Sequence, residues 1–220
     1  MTPDECHQQI RVVVERLIKS SLSVQQKLPS FRRLAGGAAT IGANAHVSSL
    51  SLRDIPYAEI YKELATSESY HVKLVDGGLL IFQYEFAAGS QLAKHRLAYF
   101  PPPLLPTFDE APALYERDEW YADVVEHRIV RFPVRFDFDP SAYQDVVHPK
   151  SHLTLGQYTN CRIPVTNPLR PKTFLVFVLR NFYHRAFRRN MNLFEKHIVG
   201  GAIDDCISVA ERGIPHLVMA

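Results

Sequence analysis

Two histidines, His148 and His152, stand four residues apart in the stretch HPKSHLTLG. On a helix this spacing would place both rings on one side, where they could bind a metal ion. Pro149 and the alternating Leu-Thr-Leu run favour a turn that leads into a β-strand, so we expect no metal. Because the pKa of histidine lies near neutrality, the pair could act as general acid and base or contact a phosphate. The alternative is a turn histidine followed by a histidine packed within a strand.

Two aspartates, Asp137 and Asp139, precede the histidines and stand two residues apart. Side chains at this spacing on a strand point to the same side, and neighbouring like charges raise the pKa of one carboxyl group. A raised pKa suits a general base, and the pair could also share a divalent cation. We predict both as catalytic residues, with Asp139 orienting one histidine. The alternative is an exposed strand end, with Asp139 in an Asx turn before Pro140.

Charge is unevenly distributed along the chain, although the net charge is only +2. Residues 146–194 contain no Asp or Glu, whereas residues 104–145 contain ten. The two stretches could neutralise each other in the fold, and Arg96 could pair with a carboxylate of the acidic stretch. Otherwise the acid-free stretch would bind phosphates. Its predicted nucleic-acid-binding residues are Lys150, Arg162, Arg180, Arg185, Arg188 and Arg189, and Lys150 or Arg162 would also stabilise the transition-state charge.

Residues 1–66 are predicted to form an N-terminal helical region. Thr2 and Glu5 have the spacing of a capping box, and apolar residues then recur at helical spacing as far as Ile18. An amphipathic helix should therefore span residue 3 to about residue 21. A second, short helix is predicted over residues 55–64.

Residues 67–220 are predicted to form an α+β core, and the chain as a whole one compact domain. Asp76-Gly77-Gly78 is typical of a hairpin turn. Pro133 lacks a backbone donor, which indicates that its strand lies at a sheet edge. Alternating patterns and turn residues predict six strands, over residues 70–75, 79–86, 91–100, 127–139, 152–155 and 160–165.

The C-terminal part is predicted to be mainly helical. One helix should span residues 173–189, apolar in its first half and basic in its second, and another should span residues 195–212. The tail, residues 216–219, could add a strand. The expected fold class is α+β: an antiparallel sheet of five or more strands, with helices from both chain ends packed on one face.

Composition limits the class of protein. With 46% hydrophobic and 22% charged residues, the 220-residue chain should fold rather than remain disordered. Its three cysteines are far apart, which argues against a disulfide framework or zinc site and favours the cytoplasm. No signal-peptide pattern or membrane-spanning run is present, so we expect no membrane partner. Walker, GxGxxG, GxSxG and HExxH motifs are absent from the sequence, and we expect no cofactor.

Five stretches occur in order within roughly residues 70–185: DGGLLIFQYEF, KHRLAYFPPP, RFDFDP, HPKSHLTLGQYTNCRIPV and PLRPKTFLVFVLRNFY. Together they resemble the bacterial family known as domain of unknown function 2290. That family carries no known activity, so the resemblance implies a bacterial origin and a single domain rather than a function.

A shorter segment, Asp139 followed by HPxxHLxLG, is similar to the HP…HLHxG segment of the TumE-like toxins. Those proteins are thought to act on RNA, so the similarity implies an action on RNA here. Thr154 stands where the toxins usually have a third histidine, which puts the transfer of catalytic roles in doubt.

These observations predict a protein that acts on nucleic acid, RNA rather than DNA, as an RNase-like effector of a bacterial toxin or anti-phage defence system. The alternative is a non-catalytic subunit that binds nucleic acid or protein within a larger defence complex. A third hypothesis is a scaffold whose aromatic-rich sheet binds another protein. The protein partner would be an antitoxin or another component of the complex.

Overall fold

A computed structural model of the chain describes residues 1–42, 55–104, 131–158 and 160–219. These residues form one nine-stranded sheet, in which every ladder is antiparallel, and six α-helices, so the predicted α+β class is confirmed. The strands are β1 (Ser23–Gln26), β2 (Phe31–Arg33), β3 (Ala39–Ile41), β4 (Val72–Leu74), β5 (Leu79–Phe86), β6 (Leu92–Phe100), β7 (Val134–Phe138), β8 (Ser151–Leu155) and β9 (Ile163–Pro164). The helices are α1 (Pro3–Lys19), α2 (Tyr57–Thr66), α3 (Pro171–Phe182), α4 (His184–Arg189), α5 (Met191–Phe194) and α6 (Val209–Arg212).

Strand order follows the path β1-β4-β5-β6-β7-β8-β9, and β2 and β3 attach to the edge of β5. The first residues of β5 pair with β4 and its last residues with β3, so both strands share one side of it. Between them, the backbone N–H of Phe82 donates to Nδ1 of His71 at 3.0 Å. The His71 imidazole thus accepts the backbone hydrogen bond of β5 at the point between its pairing with β4 and its pairing with β3.

The N-terminal region is only partly helical. Helix α1 begins at the predicted capping box, in which Thr2 and Glu5 accept hydrogen bonds from each other's backbone N–H. However, residues 1–66 also supply β1, β2 and β3, which the sequence did not predict. These strands have three or four residues each and carry little apolar alternation, for example SVQQ and FRR.

The two faces of the sheet differ. The first face carries Leu80, Phe82 and Tyr84 of β5 and the residues opposite them, and these pack in one hydrophobic core with α1 and α3. The second face carries Leu79 and Ile81, which pack with Ala98 and Phe100 under α2. Farther along β5, β6, β7 and β8, the second face is polar.

The predicted helix over residues 173–189 is broken at Tyr183, where φ is −135° and ψ is 47°. The Tyr183 hydroxyl donates to Oδ1 of buried Asp76 at 2.8 Å and lies 3.0 Å from the Tyr99 hydroxyl. Because these contacts draw Tyr183 into the first-face core, α3 ends and α4 starts in a new direction.

The predicted helix over residues 195–212 is wrong, because only Val209–Arg212 is helical. Gly200 and Gly201 disfavour a helix. Gly200 also lies so close to α1 that a Cβ there would be 2.3 Å from Gln9 Nε2. The tail forms no strand, but Leu217 makes an isolated parallel bridge with Val165.

The predicted strand over residues 127–139 also differs from the structure. Residues 127–130 lie outside the described ranges, and β7 begins at Val134, one residue after Pro133. Strand β7 lies between β6 and β8, so the prediction of an edge strand is wrong. Pro133 is tolerated because it precedes the ladder, where its carbonyl accepts the Gly156 N–H at 2.8 Å.

Candidate functional site

Three neighbouring strands bring charged side chains together on the second face. In the register of the sheet, Arg96 of β6 lies opposite Asp137 of β7, which lies opposite His152 of β8. Arg135 shares the side of Asp137 because it stands two residues earlier on the same strand. We call Arg96, Arg135, Asp137, His148 and His152 the His–Asp cluster.

Asp137 lies at the centre of the His–Asp cluster and is 7% exposed. Arg96 Nε donates to Oδ1 at 2.8 Å and Arg135 Nε donates to Oδ2 at 2.5 Å. Burial raises the pKa of Asp137, but Arg135 and Arg96 outweigh it and lower that pKa to about 2. The carboxylate is therefore ionised at neutral pH and fixes both guanidinium groups.

His152 is 4% exposed and has a defined tautomer. Its Nδ1 lies 3.0 Å from the Pro149 carbonyl oxygen, so Nδ1 carries the proton and Nε2 the lone pair. Nε2 faces Asp137 Oδ2 at 3.9 Å. Burial lowers the pKa of His152, and Asp137 opposes that shift only in part, which favours a neutral ring.

His148 is half-buried and more accessible than His152. It closes a tight turn through paired backbone hydrogen bonds with Gln144, and Val146 inside the turn has a φ of 64°. His148 Nδ1 lies 2.7 Å from the Ala142 carbonyl oxygen, so the Nδ1 proton is also donated to the backbone. The ring centroids of the two histidines are 5.0 Å apart.

This arrangement suits proton transfer. Both imidazoles use Nδ1–H as a donor, so both present Nε2 as the proton acceptor. Within the described ranges, no three His, Cys, Asp or Glu side chains are grouped closely enough to hold a metal ion. The predicted turn entering a strand is confirmed, with His152 as the second residue of β8.

Asp139 does not have its predicted role of orienting a histidine. Lys94 Nζ donates to its Oδ2 at 2.6 Å, and Ser141 Oγ and N–H donate to its Oδ1, as in the alternative Asx turn. Burial raises the pKa of Asp139, but Lys94 and Ser141 lower it more strongly. Since each aspartate has its own cations, neither carboxyl group shows the predicted rise in pKa. The carboxylate facing a histidine is Asp137.

Lys150 and Arg162, the two predicted phosphate-binding residues closest in sequence to the histidines, have different surroundings. Lys150 Nζ lies 5.0 Å from the centre of the Tyr143 ring, a cation–π contact. Arg162 is half-buried and directly precedes β9, whose Ile163 and Pro164 pair with β8.

The remaining predicted phosphate contacts lie on the other side of the sheet. Arg180 of α3 and Arg185, Arg188 and Arg189 of α4 are exposed, while Tyr183, Ala186 and Phe187 face the first-face core. We call these four arginines the basic helix surface. The structure therefore separates these four predicted nucleic-acid-binding arginines from the predicted catalytic residues.

Residues 22–219 match the family described as Uncharacterized conserved protein (DUF2290). The chain belongs to this family. The predicted resemblance is thus confirmed, and it extends beyond residues 70–185 at both ends. No curated protein and no solved structure matches the chain. The similarity to the TumE-like toxins stays a prediction.

In this DUF2290 chain the match includes the whole sheet, the His–Asp cluster and the basic helix surface, but not α1. None of the helices in the described ranges has the length and apolar character needed to cross a bilayer. The acidic residues between positions 109 and 126 lie outside the described ranges.

Sequence reasoning missed Arg135 as a site residue of this DUF2290 chain. The signal was available: Arg135 and Asp137 stand two apart on one predicted strand and therefore share a side. The expected pairing of Arg96 with the acidic stretch is confirmed by its contact with Asp137.

Proposed function

We propose that this chain acts on nucleic acid, with RNA as the substrate, and that His148 exchanges a proton with it. One observation carries the proposal: two imidazole rings lie 5.0 Å apart with both Nδ1 protons held by backbone carbonyls. Their Nε2 atoms are thereby left as proton acceptors, and that of His152 faces Asp137, the carboxylate that holds two arginines.

The proposed reaction is cleavage by the RNA's own 2′-hydroxyl. His148 Nε2 accepts the 2′-hydroxyl proton, the 2′-oxygen bonds to phosphorus, and the bond from phosphorus to the 5′-oxygen breaks. The proton on His148 then passes to the 5′-oxygen, giving a 2′,3′-cyclic phosphate and a 5′-hydroxyl. Lys150 and Arg162 are proposed to stabilise the charge on the phosphorus oxygens.

His152 and Asp137 are proposed as positioning residues. His152 is too buried to meet a substrate, but its ring packs against His148 and Asp137 faces its Nε2. If His152 were protonated, its positive charge beside His148 would make His148 a weaker base. A neutral His152 avoids this effect. Because Asp137 favours the protonated form of His152, its loss would change the charge balance beside His148 and alter the pH profile of cleavage as well as its rate.

A second candidate, a non-catalytic nucleic-acid-binding subunit, is supported by the separation of the two sites. The basic helix surface lies on the layer covering the first face, away from His148. Phosphates could bind there with no chemistry at the histidines. Such a subunit would serve a larger complex, and toxin–antitoxin and anti-phage systems are the proposed settings.

The deciding experiment combines an RNA cleavage assay with RNA binding at two salt concentrations. For His148→Ala we expect cleavage to fall by roughly 100-fold to 10,000-fold with RNA affinity unchanged. His216→Ala is the matched control, because its Nδ1 also lies within hydrogen-bond distance of a backbone carbonyl, at 2.9 Å. In a separate variant, Asp137→Asn, we expect the pH profile of the RNA cleavage that this variant retains to be shifted.

The double variant Arg180→Glu, Arg188→Glu tests the basic helix surface. For a single strand, each lost phosphate contact should reduce the slope of log affinity against log salt by about 0.7. Binding without cleavage, abolished by this variant and untouched by His148→Ala, would replace the first candidate with the second. Absence of salt-dependent binding to RNA and DNA would exclude both.

A further inference from the structure

Residues 194–203 cross α1 and the start of α3, and we call them the strap. They begin at Phe194, the last residue of α5, and residues 195–203 have no regular secondary structure. Side chains below the strap donate to its backbone carbonyls. Arg16 donates to Phe194 O at 3.2 Å, Lys172 to Glu195 O at 2.9 Å and Arg170 to Gly201 O at 2.5 Å. Three positively charged side chains are thus hydrogen-bonded to backbone carbonyl oxygens, which carry no net charge.

Two cavities adjoin at this place, and Arg170 and Thr173 line both. The smaller has a volume of about 260 Å³, and its walls include Gln9, Lys172 and His197. The larger has a volume of about 410 Å³ and a mainly apolar wall that includes Leu169 and Met219, with Arg212 and Asp205 at its polar side.

The smaller cavity is electropositive. It lies at the start of the 12-residue helix α3, whose first turn contains no acid and whose N-cap, Arg170, makes no side-chain cap. Helix N–H groups and the helix dipole attract anions at such an end. None of the described side chains that line this cavity is acidic. Burial and Arg16 lower the pKa of Lys172, and the nearby Glu195, which is exposed, raises it less than either lowers it.

Gln9 provides an independent observation. This wall residue is 1% exposed, and its Nε2 donates to Val199 O at 3.4 Å. Its Oε1 is buried and accepts no hydrogen bond from any described residue. A buried acceptor without a donor costs stability, so a ligand that brings a hydroxyl group would complete this wall.

We infer that the two cavities bind a small phosphate monoester. The phosphate fits the smaller cavity, where Arg170, Lys172 and the first N–H groups of α3 surround it. At neutral pH the phosphate group itself is mainly dianionic and has no proton to donate, so a hydroxyl group of the organic part donates to Gln9 Oε1. The larger cavity takes a ring-sized organic part against Leu169 and Met219. This site is separate from the His–Asp cluster, because α3 covers the first face.

The test is calorimetric titration of the full chain with adenosine 5′-monophosphate, inorganic phosphate and adenosine at constant ionic strength. We expect the monophosphate to bind at least 10-fold more tightly than phosphate, and adenosine not to bind. Lys172→Gln and Arg170→Gln should each weaken monophosphate binding at least 10-fold. Lys62→Gln, the same charge change on the exposed side of α2, should not.

Because Arg170 also holds the strap, circular dichroism must show that each variant is folded at the titration temperature. Equal loss in Lys62→Gln, or no heat with the wild-type chain, would overturn the inference. Equal affinity for phosphate and the monophosphate would exclude the larger cavity as part of the site. None of these outcomes depends on RNA cleavage by His148.

Discussion

The two faces of the sheet use the same strands for different purposes. On the first face, residues such as Phe136 pack with aromatic rings from α3, and on the second face their immediate neighbours Arg135 and Asp137 form ion pairs. Burying apolar area stabilises a fold in rough proportion to that area, whereas buried ion pairs add little net stability. We therefore assign folding stability mainly to the first face and the proposed chemistry to the second.

Two histidines on adjoining parts of the sheet show the same contrast. His95 on the first face is 1% exposed, packs between Tyr84 and Phe138, and accepts the Leu169 N–H through Nε2 at 2.9 Å. Its ring closes a structural contact and has no free acceptor. His152 on the second face keeps Nε2 directed at a carboxylate.

The largest expected difference between the faces is in the cost of removing a side chain. Phe136 packs edge-on against Phe174 and Phe177, with ring centroids 6.2 Å and 5.0 Å away. Phe136→Ala should lower the free energy of unfolding by about 4 kcal/mol, through lost burial and the cavity left behind. Arg135→Gln, one residue earlier, should cost about 1.5 kcal/mol, because Asp137 keeps Arg96. Urea unfolding measures both, and equal losses would remove the contrast between the faces.

The next effect concerns pH and the first-face histidine. Burial lowers the pKa of His95 from its ordinary value of 6.5 to about 4. As the pH falls from 6.5 to 4, the unfolded chain binds a proton that the folded chain refuses. Stability present above pH 6.5 is therefore lost through this window, by about 3 kcal/mol in total.

His95→Gln should remove that loss, so the decrease in unfolding free energy between pH 7 and pH 4 should be about 3 kcal/mol smaller than in the wild-type chain. Some pH dependence should persist, because burial also lowers the pKa of His71 to about 4. Urea unfolding at several pH values gives the slope, which is independent of any constant cost of the substitution. Identical slopes for variant and wild type would show that His95 is not a neutral core residue.

The sequence was most informative where one face of an element is apolar. The hairpin around Asp76, strands β5 and β6 and helix α1 were all predicted from periodicity or turn chemistry. The sequence was least informative where contacts between residues far apart in the chain determine the local structure. The break at Tyr183 depends on Asp76, more than a hundred residues away, and the strap depends on carbonyl contacts with α1 and α3. A pattern of residues that are neighbours in the sequence predicts neither of these contacts.

The candidate site shows the same limit. Spacing predicted correctly that Asp137 and His152 lie on strands, but not which aspartate faces the histidine, because that depends on the register of β7 and β8. Spacing also could not show that α3 and α4 lie across the sheet from the histidines. The separation of the basic helix surface from His148 is a result of tertiary packing.

The smallest expected effect is local strain in the turn between β7 and β8. Val146 has a φ of 64°, a conformation that β-branched side chains rarely adopt, and it is 41% exposed, so little burial offsets the strain. Val146→Asn should raise the free energy of unfolding by about 1 kcal/mol, and the melting temperature by about 2–4 °C, because asparagine tolerates this conformation. Val147→Asn is the matched control, since Val147 is 64% exposed and has a negative φ. Thermal melts that show the same gain for both variants, or a loss for Val146→Asn, would mean that the turn before His148 stores no strain.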